Sequence, residues 1–440
     1  LLFFVAVKVE YFIASRVAAS GQQSFSRVII RLAVIAIALC TAVMILATAL
    51  ITGFKHQISE KIFGFWGHIH ITSNDINGTM LEQVPISAKQ DFYPKLQNLK
   101  KKDLPSSTEG PGSLLPFGKW KTSEENLIRH IQVFALKPGI IKTKNELEGI
   151  VLKGVGRDFD WAFMQQYLKE GQRLTLPDSA ASPDILISRQ TAQRLELKTG
   201  DKLIVHFVQR GKQLRRAFRV KGIFKTGLEE YDKQFALVDI RKIQQLQGWA
   251  PDQVGGFEIF VNDLSQLEAI ADFIYREWLP PDLYAETIRE KFPQIFEWLS
   301  LQDINEVVIL SLMLTVGIIN MITALLILIL ERTRMIGILK AMGSTNWSIR
   351  KVFLYYAAHI ITKGLFWGNL IGLGLGWLQQ KFGFVKLSEE SYYLATAPIE
   401  FHLSALLGIN LLSLIVTLLF LIIPSYLITR ISPVQAIRFD

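Results

Sequence analysis

The sequence predicts a membrane α-helical protein, with four transmembrane helices and a large α+β extracytoplasmic domain of two subdomains. Three observations predict it. Half of the 440 residues are hydrophobic and the mean hydropathy is +0.27, a balance that soluble chains of this length rarely have. The apolar residues gather in four long runs, parted by an ordinary mixed-charge stretch over 54–303. The lysines and arginines behind the net charge of +9 gather at one set of ends of those runs.

Residues 1–31 precede the first run. LLFFVAV (1–7) is too short for a signal peptide and reads as sequence from upstream of the true start, or from an alternative start codon. Residues 8–26 are too polar to span a membrane. Tyr11, Phe12, Ala14 and Val17 can share one apolar face, which predicts a helix lying in the inner interface. The first span is 32–53. Its centre, Leu32–Ile51, carries no charge, and at ~1.5 Å per residue it covers about 30 Å, the hydrocarbon thickness. Within it Cys40 reads as a packing residue, and as the only cysteine it leaves no internal disulfide to brace the outer domain.

Residues 54–303 read as mixed α and β. GHIHITS (67–73), IRHIQVFAL (128–136) and GFEIFVN (256–262) alternate as half-buried strands do. Residues 184–209 read as strand, short helix, Gly-Asp turn and strand, and 215–224 as a returning strand. QFALVDI (234–240) reads as a strand before the helical RKIQQLQ, and 263–279 as a helix starting on an Asp cap. SSTEGPGSLLPFG (106–118) is a loop by composition. This order predicts a β-rich subdomain, about 150–250, inserted into the first.

The second span is 304–330, the third 352–379 and the fourth 403–426, with Pro424 near its inner end. Basic residues flank the first span (Lys8, Arg16, Arg27, Arg31), fill 331–351 (Arg332, Arg334, Lys340, Arg350, Lys351) and follow the fourth span (Arg430, Arg438). The loop 380–402 instead carries Glu389, Glu390 and Glu400. The positive-inside rule therefore puts both termini (1–31 and 427–440) and 331–351 in the cytoplasm, and 54–303 and 380–402 outside. Trp298 and Trp377 then fall at the outer boundary, as in an aromatic belt. The positive charge is a topology signal, and nucleic acid drops out as a partner.

Catalytic constellations are missing from these 440 residues. There is no G-x-x-x-x-G-K-[ST], H-E-x-x-H, G-x-S-x-G or C-x-x-C. His68 and His70 would face one side of a strand, but no third ligand is apparent, so they read as ordinary strand histidines rather than a metal site. Glu229, Glu230 and Asp232 read as a solvated acidic turn. Lys363 lies about a dozen residues into the third span, some 15–18 Å deep. A charge there costs at least about 2.5 kcal/mol, so it should face protein, towards Asn320 or Thr323, either in a functional role or as a packed, partly snorkelling lysine. Gly368, Gly372, Gly374 and Gly376 give overlapping G-x-x-x-G spacings that allow close helix packing within one subunit.

The segment ERTRMIGILKAMGSTNWSIRKVF (331–353) is the most specific. Met335, Ile336, Ile338, Leu339 and Met342 would form a short helix with more exposed apolar surface than a loop needs. Gly343 can end that helix in the left-handed conformation, and Ser344 or Thr345 can cap the next. Such a helix suits docking into a groove on another protein; an amphipathic loop resting on lipid headgroups is the alternative.

ERTRMIGILKAMGS resembles the signature of the FtsX/MacB-type ABC permease family, and Pro433-Val434-Gln435-Ala436-Ile437-Arg438 resembles its closing P-x-x-A-I/L-R. The likeness runs over nearly the whole chain. ISRQTAQRLELKTGDKLIV, FRVKGIFKTGLEEYD and SYYLATAPIEF (391–401) look most like the lipoprotein-releasing, Lol-type branch. The resemblance implies a MacB-like periplasmic core, a bacterial inner-membrane location and no enzyme activity or cofactor on this chain. Two permeases, identical or related, would engage a separate cytoplasmic ABC ATPase that binds ATP and Mg. Docking would fall to Met335, Ile336, Gly337, Ile338, Leu339, Lys340, Ala341, Met342, Gly343 and Ser344. The substrate would be a lipoprotein extracted from the inner membrane, its acyl chains near Leu46, Leu50, Phe54, Ile309 and Met313. Two departures stand out. The turn QRGKQLR is shorter than in branch members that recruit a periplasmic carrier, which puts such docking in doubt, and Lys363 replaces a usually apolar residue. The rival readings are MacB-like efflux, FtsX-type regulation of a cell-wall hydrolase, and a membrane-anchored receptor or enzyme.

Overall fold

The computed structural model describes residues 10, 12, 24–75, 82–100, 103–104, 126–142, 146–178, 180–209 and 212–431. The interfacial helix expected over 8–26 lies almost wholly outside them, as do the loop 106–118 and the closing motif at 433–438. The chain forms two compact units: residues 1–55, 298–385 and 396–440, and residues 56–297 with 386–395.

The first unit is helical. It is built from parts of α1 (Ser24–Trp66) and α2 (Pro293–Glu331), with α3 (Thr333–Ala341), α4 (Asn346–Phe382) and α5 (Leu403–Ser425). Its core joins Ile37 of α1, Met321, Leu325 and Ile329 of α2, Ile336 of α3, Phe353, Ala357 and Ile361 of α4, and Leu421 of α5. Polar ties add direction. The Thr48 hydroxyl donates to Glu306 at 2.8 Å, and Lys55 pairs with Asp303 at 2.5 Å, both between α1 and α2. Asn369 and Asn410 exchange amide hydrogen bonds of 2.6 and 3.0 Å between α4 and α5.

The expectation of four transmembrane helices is corrected here. Among the described residues three helices are long and apolar enough to cross a membrane: Val28–Trp66, Pro293–Glu331 and Leu403–Arg430. The expected third span falls inside α4. That helix forms at full length, but His359, Lys363, Asn369 and its five glycines dilute its hydropathy. Glycine instead serves packing. A methyl added at Gly364 would stand 2.6 Å from Ile37 Cβ, at Gly368 2.6 Å from Thr41 Cβ, and at Gly372 3.2 Å from Ala42 Cα. These glycines, four residues apart, let α4 lie directly against α1. Gly374 faces open space, and Gly376 meets the Phe401 ring.

The second unit is built on a ten-stranded mixed sheet. Its strands are β1 (Ile69–Ser73), β3 (Ile128–Lys142), β4 (Leu147–Val155), β5 (Leu168–Gly171), β6 (Asp184–Ser188), β7 (Lys202–Gln209), β8 (Lys212–Phe224), β9 (Phe235–Asp239), β11 (Gly256–Val261) and β12 (Leu283–Thr287), while β2 (Ile86–Ser87) and β10 (Gln253–Val254) pair separately. The order is β12-β1-β11-β3-β4-β9-β6-β8-β5, with β7 bridging β3 and β8. Pairs β4–β9 and β6–β8 are parallel and the other pairs antiparallel. β6, β9 and β11 are buried at every position, as expected of strands covered on both faces. Helices Ile240–Gln247 and Leu267–Glu277 bury apolar faces built on Ile243 and Leu246, and on Ile270 and Ile274. Strands β5–β9, from the stretch read as an inserted subdomain, join the same sheet through β9–β4 and β7–β3.

Candidate functional site

The site is assembled around α3. Thr333–Ala341 is helical because its apolar residues recur on one side, and that side packs inward: Ile336 is fully buried, Gly337 buried, and Met335 and Leu339 rest on the helical core. The helix then stops abruptly. Gly343 takes φ +89°, the amide of Ser344 donates to Leu339 O at 3.0 Å, and that of Gly343 donates to Lys340 O at 3.0 Å. This double closure is the left-handed stop that glycine allows. Thr345, rather than Ser344, caps α4, accepting from the Ser348 amide at 3.2 Å.

The turn leaves an apolar surface uncovered. Ile338 is 53% exposed, Met342 77% and Trp347 52%, with Ala341 and Gly343 exposed beside them. The ten expected docking residues therefore divide. Ile338, Ala341, Met342 and Gly343 form the surface; Met335, Ile336, Gly337 and Leu339 hold it in place; Ser344 closes the turn. Lys340 turns away. Its ammonium donates to the carbonyls of Ile428 at 2.8 Å and Ile431 at 2.7 Å, with Thr429 O at 3.4 Å. Desolvation lowers its pKa from the usual lysine value. Trp347 was not among the expected residues; its place two residues past the Thr345 cap, on the first turn of α4, was the available signal.

The residues expected around an acyl cavity are scattered by burial. Leu50 is exposed, Leu46 and Ile309 are half-buried, Met313 packs with Met44, Ile45 and Ile409, and Phe54 is buried edge-on against Trp298 at 5.5 Å. Lys363, expected to face protein, is exposed on α4. Asn320 is half-buried on α2, and the Thr323 hydroxyl is spent on Ile319 O at 3.0 Å.

In the second unit His68 and His70 are bound into the fold. His68 Nδ1 accepts from the Val261 amide at 2.7 Å, and His70 Nε2 lies 2.7 Å from Trp66 O. Burial, with Arg129 and Arg289 nearby, pushes the His68 pKa down to about 3; burial and Lys291 bring His70 to about 4. Lys153 and Glu258 form a fully buried pair of 2.7 Å. Gln132 donates to the same carboxylate at 2.7 Å, and Lys153 also donates to Phe65 O. Burial raises the Glu258 pKa, but Lys153 and His70 outweigh it and hold it below the usual carboxylate range. The acidic stretch read as a solvated turn is the helix Glu229–Gln234. Its Asp232 is buried and accepts from the Thr226 hydroxyl at 2.6 Å and the Gly227 amide at 3.1 Å. Among the described residues no group of three His, Cys, Asp or Glu side chains could hold a metal.

Comparison with known proteins matches both parts of the chain. A family profile for a MacB-like periplasmic core domain covers residues 32–274, and one for an FtsX-like permease C-terminal region covers 307–433, which includes the whole α3 surface. The lipoprotein-releasing system transmembrane protein LolC of Xylella fastidiosa (strain 9a5c) is 24% identical over 271 residues, 58% of this chain. The match spans 65% of that relative's own length. The lipoprotein-releasing system transmembrane protein LolE of Haemophilus influenzae is 22% identical over 428 residues, 93% of this chain and 94% of that protein. The crystal structure of the periplasmic region of MacB from Actinobacillus actinomycetemcomitans covers 52% of this chain and 92% of its own, at 14% identity and a TM-score of 0.30.

Proposed function

Because the chain belongs to the permease family that joins a MacB-like periplasmic core domain to an FtsX-like C-terminal region, we propose that it is the membrane subunit of an ABC system that performs work outside the cytoplasm. Like other permeases of this family, it is not itself the catalyst. A separate cytoplasmic ATPase, holding ATP and Mg, docks on Ile338, Met342 and Trp347 and drives the helices, and two permease subunits act together. The work is extraction of acylated lipoproteins from a bacterial inner membrane, with both termini in the cytoplasm and residues 56–297 in the periplasm. The names of the two Lol relatives support that choice of substrate. Leu50, with Leu46 and Ile309, offers apolar surface to an acyl chain.

The observation that carries the reading is the uncovered apolar surface of α3, held by a glycine stop and an inward-packed face within the FtsX-like region. Both positions of Ile338→Asp/Met342→Asp are exposed, so the variant changes the surface and spares the core. Gentle purification of full-length protein from native membranes should retain a small ATPase and acylated lipoproteins, and the double variant should lose the ATPase while inserting normally. An ATPase retained equally by the variant would refute the docking surface. An ATPase accompanied by a wall hydrolase in place of lipoproteins would refute the substrate.

A further inference from the structure

Two cations on opposite sides of the Gly343 turn reach the same short piece of chain. From α3, Lys340 Nζ donates to the carbonyls of Ile428 and Ile431 at 2.8 and 2.7 Å, with Thr429 O at 3.4 Å. From α4, the Arg350 guanidinium lies 3.7 Å from the centre of the Tyr426 ring. Arg350 is buried to 8% exposure, and among the described residues its Nε has no hydrogen-bond partner, which leaves the aromatic face as the contact seen there. Tyr426–Ile431 is the run immediately after α5, and the helical turn Leu427–Arg430 lies within it. The turn ends at Arg430 with Ile431 extended, so among the described residues no further helical turn takes its last carbonyls, and a lysine ammonium is suited to do so. Ile428 completes the grip from the apolar side, fully buried in the core that contains Ile336 and Ile349.

We propose that Lys340 and Arg350 are positioning residues that make α3, the start of α4 and the end of α5 one rigid block. A push on the α3 surface then enters α5 directly through 426–431, besides passing back along α2. The idea rests on the docking role proposed for α3 and names the route that movement takes from it. The geometry is specific. An ammonium shared among carbonyls resists sliding in several directions, and a guanidinium over a ring resists separation while needing no counter-ion. The block moves as a body, and the exposed Ile338, Met342 and Trp347 form its outer face.

The test has one readout independent of any ATPase. Spin labels at Met342→Cys and Ile423→Cys, both exposed positions, report the α3–α5 distance in the purified full-length chain in lipid nanodiscs. The native residues should give one narrow distance distribution. Lys340→Met and Arg350→Met should broaden it, and Lys340→Arg, which keeps the donors, should restore most of the narrowness. An unchanged distribution in both Met variants overturns the proposal. In the complex with its co-purifying ATPase, Arg350→Met should keep the ATPase bound yet raise the ATP hydrolysed per lipoprotein released about tenfold. Loss of the ATPase from Arg350→Met would place Arg350 on the docking surface and overturn its positioning role. A native complex without any ATPase would instead remove the docking reading and leave the distance result standing.

Discussion

His70 has no exposed surface, touches Trp66 O at the end of α1, and lies 3.6 Å from Glu258. It is held neutral, with a pKa near 4 in the fold against about 6.5 in an unfolded chain, and His68 is held near 3. Between those values the unfolded chain binds more protons than the folded one. The stabilisation from neutral burial is therefore complete above about pH 6.5 and is lost as pH falls towards 4. At full extent His70 alone is linked to about 3 kcal/mol. Thermal unfolding of the intact protein should show the transition of the sheet-bearing unit falling steadily from pH 7 to pH 5. In His70→Gln that slope should be shallower around a lower starting stability, and an identical slope would exclude His70 as its source. The strand that carries His70 was legible from the alternation over 67–73, although it begins at Ile69 and leaves His68 just before it. The groups around His70 were not, because Glu258 and Lys153 come from distant strands and Lys291 from the short helix Ile288–Lys291, and only the folded unit brings them together.

Helix α4 carries its information in glycines. Gly364, Gly368 and Gly372 open a seam for Ile37, Thr41 and Ala42 of α1, and a larger side chain there must push the helices apart. Gly368→Leu should destabilise the helical unit by about 1–3 kcal/mol, as overpacking does. Gly374→Leu, facing open space, should change it little. Denaturation in detergent, compared between the two variants, separates packing from helix propensity, since each loses one glycine. The seam was partly legible: G-x-x-x-G spacing announced close contact, whereas the partner helix and the part played by Gly364 depended on rotation about the helix axis. The same limit explains Lys340. Its neighbours in ERTRMIGILKAMGS gave the helix, its stop and its apolar surface. The inward turn of the ammonium depended on where residues 426–431 come to rest. β4 went unread for another reason: LEGIVLKGV mixes glycine into an apolar run and shows no alternation.

Across the whole molecule, the sheet-bearing unit has a core without disulfides, and its main segment is continuous from His56 to Glu297. A fragment of residues 56–297 should unfold in one cooperative step, and addition of a peptide covering 386–395 should raise its midpoint. A fragment that melts without cooperativity would show that the unit depends on the rest of the chain. The peptide matters because the unit takes in Lys386–Ala395, where Lys61 donates to Tyr393 O at 2.8 Å and Lys225 pairs with Glu389. In sequence the two units meet near residues 55 and 298, where the hydropathy changes, but the returning segment leaves no such mark, since ten residues carry too little pattern to declare where they belong. Its position in the chain has a consequence in time. A ribosome finishes residue 297 roughly 5–20 s before it reaches 386, at ordinary elongation rates. During that interval all ten strands of the sheet have been made and the unit lacks only one late piece, which brings Glu389 and Tyr393. The order of synthesis therefore makes this segment the last part of the unit to be supplied, after the helices between have been made.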